Sequence, residues 1–151
     1  MPTLMLLALL AAAPKPSDGV RAAFINGDLP QAEVGVQLCL KKEPKARCKQ
    51  LGRWLAEYTF LYSHLDSFKP EDARTFIELD KKLSPKQRSR LTEHAIERYV
   101  NKPFETAKAL AEGNQKRALE LLDVVLTVDP THAEALALKK ALLAARDAGT
   151  P

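Results

Sequence analysis

Apolar residues recur at three- and four-residue spacing along most of this chain, and the breaks between them carry residues that start and stop helices. The pattern predicts a short first helix over 19–25, capped by Ser17 or Asp18 and closed by Gly27. Asp28 caps a second helix, with Gln31 at the capping-box offset and Pro30 in a first turn where its missing N–H costs nothing. That helix carries Ala32, Val36, Leu38, Cys39 and Leu40 and stops at Lys41-Lys42-Glu43-Pro44. Over 46–66, Leu51, Trp54, Leu55, Tyr58, Leu61, Tyr62 and Leu65 make a stripe broad enough to face two neighbours. A fourth helix starts near Pro70, with Glu71 and Asp72 in its first turn, and buries Ala73, Phe76, Ile77 and Leu83. Ser84-Pro85-Lys86-Gln87 reads as a capping box with Pro at the first helical position. The stripe that follows, Leu91 to Val100, meets Pro103 and resumes at Phe104, which predicts either one long kinked helix or two broken ones. Asn114 caps the next helix, and Thr131 with Glu134 makes a last capping box for an Ala- and Leu-rich helix over 132–147.

The punctuation repeats. Gly113, Ala118, Leu122, Val125 and Pro130 stand at the same spacings as Gly27, Ala32, Val36, Cys39 and Pro44. A weaker copy between them keeps Ala73, Ile77 and Pro85 but has Phe68 and Asp80 at the Gly and small-residue places. On these residues the chain resembles the tetratricopeptide repeat family, whose helix-turn-helix units carry Gly, Ala, a large apolar residue, a small residue and Pro at such offsets. The resemblance implies an all-α, right-handed solenoid of about seven or eight helices, two clear units and one degenerate, with a C-terminal capping helix. Spacings of 41 residues from Pro44 to Pro85 and 45 from Pro85 to Pro130 exceed the family's roughly 34. The excesses are close to whole helical turns, so lengthened helices would keep their stripes in phase. The family's aromatic-Leu-Gly opening is not present in the first helix of the units.

The resemblance also implies protein binding on a concave face lined by the first helix of each unit. Counting from Pro44 carries the groove positions onto Cys48, Leu51, Leu55, Tyr58 and Thr59. Counting from Pro85 carries them onto Ser89, Thr92, Ile96, Tyr99 and Val100. With Tyr62, the candidate partner-binding set is Leu51, Leu55, Tyr58, Tyr62, Thr92, Ile96 and Tyr99. A core role for the tyrosines, with hydroxyls reaching the surface, is the alternative.

Composition narrows the classes. The 151 residues suit a single domain over 17–148, and 46% apolar with 28% charged residues is ordinary for a folded chain. The net charge of +4 tilts toward acidic partners without making a nucleic-acid footprint. Basic residues cluster at Lys41, Lys42, Lys45, Arg47, Lys49 and Arg53 and again over 81–90; either they are simply solvated or they attract an acidic protein segment, anionic lipid or polyanionic envelope material. Lys45, Lys49 and Arg53 form the expected basic rim. The first 13 residues end an uncharged apolar run on Ala11-Ala12-Ala13 and read as a signal peptide, giving an exported, periplasmic or extracytoplasmic protein. The alternative is a retained, membrane-associated N-terminal segment.

Cys39 and Cys48 flank the turn at Glu43-Pro44 symmetrically, which suits a disulfide between antiparallel helices in an oxidising compartment; the alternative is two separate thiols. His64, His94 and His132 lack ligand spacing, and no phosphate loop, nucleophile elbow or metalloprotease pair is present. No metal, cofactor or enzymatic activity is therefore expected. The leading expectation is an exported adaptor that docks a peptide or helix of a partner protein. Structural subunits of a cell-envelope assembly, and binders of anionic envelope surfaces, are the alternatives; peripheral membrane association and the oligomeric state stay open.

Overall fold

A Schellman turn opens the architecture. Gly27, at φ 79°, donates to the Phe24 carbonyl and lets Asp28 donate to that of Ala23, which ends α1 (Pro16–Ile25) and starts α2 (Leu29–Lys42). The computed structural model describes residues 15–42 and 44–149, so the expected signal peptide and Glu43 lie outside the described residues. The chain continues through α3 (Lys45–Tyr62), a 3-10 turn (Leu65–Ser67) and α4 (Pro70–Leu83). Then come α5 (Arg90–Ile96), a π turn (Glu97–Asn101), α6 (Lys102–Leu110), α7 (Gln115–Val128) and α8 (Ala133–Ala148). The described residues are all-helical, without strands.

The repeating ladder marks interior positions. Ala32, Ala73 and Ala118 are buried, as are Val36, Ile77 and Leu122 and then Cys39, Asp80 and Val125, on α2, α4 and α7 respectively. Two apolar cores result. Val20, Phe24, Val36, Leu51, Leu55, Tyr58, Phe76 and Leu83 gather in the first, which α1 to α4 enclose together with Leu91 and Ala95 of α5. Ile77, Val100, Phe104, Leu122, Val125 and Leu142 gather in the second, between α4 and the helices that follow. Helix α4 joins the two because it is apolar on both sides: Phe76, Leu79 and Leu83 face one core, Ala73 and Ile77 the other. Close approach is bought with a glycine where α1 meets α2, since a Cβ on Gly35 would lie 2.9 Å from Val20 Cγ2.

Residues 90–110 resolve the ambiguity at Pro103. The helix runs on, and the π turn stands just ahead of the proline, with the Lys102 N–H donating to the Glu97 carbonyl. In an uninterrupted α-helix the Pro103 ring would press on the Tyr99 carbonyl, which also would lose its donor; the wider turn relieves that conflict.

Three helix starts depart from expectation. Helix α5 begins at Arg90, not at Pro85, so part of the excess length of that unit lies in 84–89 and not in whole helical turns. Ser89 is the cap; its Oγ accepts from the Leu91 N–H and donates to the Phe24 carbonyl 65 residues away. A tertiary bond thus overrides the local capping box. At α8, His132 Nδ1 accepts from the Ala135 N–H, while Thr131 is held by Asp129. At α1, Lys15 is the cap residue and its N–H is taken by Asp18. Asp28 and Asn114 cap as expected, accepting from Gln31 and Arg117.

Candidate functional site

The expected concave floor is filled from within. Tyr58 is wholly buried, its ring stacked on Phe76 at 4.0 Å and edge-on to Phe24 at 4.7 Å. Its hydroxyl lies 2.7 Å from Thr92 Oγ1, and the Thr92 hydroxyl also reaches the Asp80 carboxylate. The Ser89 N–H donates to Asp80 Oδ1 at 2.9 Å. Tyr58, Asp80, Ser89 and Thr92 thereby form one polar cluster, closed to solvent, that ties α3, α4 and α5 to the end of α1.

Leu51, Leu55, Tyr58 and Thr92 are all buried and do not present a shared binding face; of the four, only Leu55 and Leu51 reach the bottom of a surface depression, each a different one. Ile96 and Tyr99 are half-buried, with the Tyr99 hydroxyl donating to the Leu65 carbonyl; Tyr62 is 37% exposed. Counting from Pro85 fails because the helix starts five residues later, which leaves Ser89 outside it, and then gains a π turn, which shifts the face that Tyr99 and Val100 occupy.

Burial raises the Asp80 carboxyl above the ordinary carboxylate range. Hydrogen bonds from Thr92 and the Ser89 N–H and the charge of Arg88 offset this in part, while Glu93 adds to it. A carboxyl raised on folding contributes stability that is fully present below its unfolded value, about 3.9, and lost as pH rises through its folded value. Asp80→Asn, which removes the charge but keeps an acceptor, should therefore gain on the wild type between pH 4 and pH 7. Urea midpoints across that range check this; a wild-type–variant gap that stays flat with pH excludes a raised carboxyl.

One accessible concavity lies between α2 and α3. A groove of about 720 Å³ has Val36, Leu40, Gly52, Leu55 and Ala56 along its floor, with Glu33 and Gln37 on the α2 rim. Lys49 and Arg53 form the α3 rim. Gly52 lets the helices meet, because a Cβ there would stand 3.1 Å from Val36 Cγ1. At one end the Cys39–Cys48 disulfide, with Cα atoms 5.7 Å apart, ties α2 to α3. Beyond the other, Phe60 is 65% exposed. It stands four residues past Ala56 and so continues the same face of α3.

Of the expected site, then, Leu55, Lys49 and Arg53 come together here, and Lys45 stands one turn before Lys49 on the same face. Lys45, Lys49 and Arg53 are exposed and have no ion-pair partner among the described residues. Leu51 lines a separate depression with Arg47 and Trp54, and Ile96 lines a third with Lys81, Arg88 and the α7–α8 turn. The α2 wall and Phe60 escaped the sequence reading. Val36 and Leu40, four apart, and the small residues Gly52 and Ala56 were the available signals.

No family model, curated protein or solved structure matches the chain. Likeness to the tetratricopeptide family accordingly rests on the Gly–Ala–Pro ladder alone. Among the described residues no set of His, Cys, Asp and Glu is placed to hold a metal ion, and no helix is long and apolar enough to cross a membrane.

Proposed function

We propose that this is an exported, tetratricopeptide-like interaction module that binds a segment of a partner protein along the α2–α3 groove. One observation carries the reading: an apolar concavity, open to solvent, bordered on α3 by cations that have no partner among the described residues. A preformed floor between two disulfide-tied helices keeps the ordering cost on the receptor side small. The disulfide is also consistent with an oxidising compartment, which supports export. The repeat reading draws support from the ladder, whose Ala, large apolar and small-residue places are interior in all three copies.

A photo-crosslinking residue at Ala56, with a control at the exposed Lys102, tests the groove in the native envelope. A discrete protein adduct from position 56 that is absent at position 102 is expected. Equal labelling from both sites, or none from position 56, counts against the reading.

A second reading has its own support. Val34 and Leu38, four apart on α2, are 50% and 46% exposed, and the interior that a solenoid groove would offer is filled by Tyr58. A subunit that packs by that α2 face into an assembly of its own copies would give self-adducts from a crosslinker at Val34.

A further inference from the structure

We propose that the α2–α3 groove takes an amphipathic helix of a partner protein, with acidic residues four apart on the flank that faces α3. This rests on the reading of that groove as a protein-binding site and adds the chemistry of the occupant.

Charge sets the flank. Lys45, Lys49 and Arg53 follow one another at four-residue intervals along α3, a rise of about 6 Å per step. Acids at the same interval on a helix lying alongside would meet Lys49 and Arg53 in register. Across the groove the rim is Glu33 and Gln37, so the opposite flank of the occupant is neutral or basic. This asymmetry gives the bound helix one rotational setting.

Backbone chemistry sets the conformation. Val36, Leu40, Leu55 and Ala56 offer side chains and no strand edge, so an extended peptide would lay unpaired N–H and C=O groups on an apolar floor. A helix satisfies those groups internally and needs only an apolar stripe at three and four spacing. The distance from Lys45 to Phe60 on α3 is about 22 Å, which matches an occupant of about 15 residues whose last apolar position meets Phe60.

A bilayer fits less well. The apolar floor is recessed between two helices, and Glu33 would repel an anionic headgroup from the near rim. The exposed apolar residues Val34 and Leu38 lie on α2, away from Phe60 on α3, and do not extend the basic stripe.

The test uses the full chain and three labelled probes. One is a synthetic 15-residue amphipathic helix with Leu at three and four spacing and Glu at four-residue intervals on one flank. The second carries Lys for Glu, and the third is vesicles containing anionic phospholipid. Fluorescence anisotropy should show the Glu peptide binding at least tenfold more tightly than the Lys peptide, with affinity falling as salt rises. The double change Lys49→Glu and Arg53→Glu should reverse that preference, and Ala56→Trp should abolish binding of either peptide. All three residues are exposed, and circular dichroism verifies that each variant keeps its helices.

Equal affinity for both peptides, still lost in Ala56→Trp, overturns the acidic-flank assignment but leaves the groove reading standing. Failure of both peptides overturns this proposal, while the crosslink at Ala56 judges the groove separately. Binding to vesicles without peptide binding, or dimerisation lost on Lys49→Glu and Arg53→Glu, assigns the stripe to a membrane or a second copy and also overturns it.

Discussion

Tyr58→Ala is expected to lower the unfolding free energy by about 3–5 kcal/mol, the range for truncating a fully buried aromatic. The ring is shared by three elements, stacked on Phe76 of α4 and edge-on to Phe24 of α1 while rooted in α3. Removing it opens a cavity at the centre of the first core and takes a partner from Thr92. Tyr58→Phe is the control. It keeps the ring and leaves Thr92 its contact with Asp80, so the loss should fall to about 1 kcal/mol, the net worth of one hydrogen bond. Urea denaturation followed by circular dichroism measures both. A Tyr58→Ala cost under about 0.5 kcal/mol, the ordinary scale of a surface change, would mean that the tyrosine lines an open groove after all.

Loss of the Cys39–Cys48 bond should be the next largest effect. The half-cystines are nine residues apart, and closing so short a loop in the unfolded chain is worth about 2.5 kcal/mol. For a chain of this size, that corresponds to a fall in Tm of about 5–10 °C on full reduction or in the Cys39→Ala, Cys48→Ala double variant. The bond also has a local consequence. Cys48 lines the α2–α3 groove, so freeing it lets the two walls move apart, and the affinity for an occupant should fall even well below Tm. Melting curves with and without reductant check the first effect, with intact mass reporting the thiol state. An unchanged Tm when mass spectrometry shows both thiols free would remove the bond from the account of stability.

The two experiments bear on different halves of one question. Tyr58 asks whether the interior of the first four helices is sealed; the disulfide asks whether the surface between α2 and α3 is held ready. A sealed interior and a preformed outer groove are both what the proposed binding along α2 and α3 requires.

How much of this was legible beforehand varies residue by residue. Gly27, Asp28 and Asn114 announced their turns and caps because those interactions close within a few residues. Ser84-Pro85-Lys86-Gln87 announced a helix start just as clearly, yet the helix waits for Ser89, which is anchored to Phe24 and Asp80. Asp80 stands in the place of Cys39 and Val125 in the ladder, and a charge there reads as a defect. The fold turns that defect into the polar cluster with Thr92 and Tyr58. The basic stripe at four-residue intervals was visible on α3 alone, but its groove needed Val36 and Leu40 from α2. Tyr58 and Tyr62 looked alike as amphipathic candidates; one is in the core and the other is half-exposed because they are four apart on a helix with neighbours along only part of its length.

By itself the sequence determined that the chain is helical, where most helices begin and end, which residues of each repeated ladder face inward, and that the two cysteines flank a single turn. Each of those depends on spacing within one helix or on a contact made within one turn. Only the tertiary structure decided which apolar faces meet, that Tyr58 fills the first core, and that an accessible groove runs between α2 and α3. These depend on how whole helices are set against one another. Bonds such as Ser89 to Phe24 join residues far apart in the chain, and no local pattern encodes them.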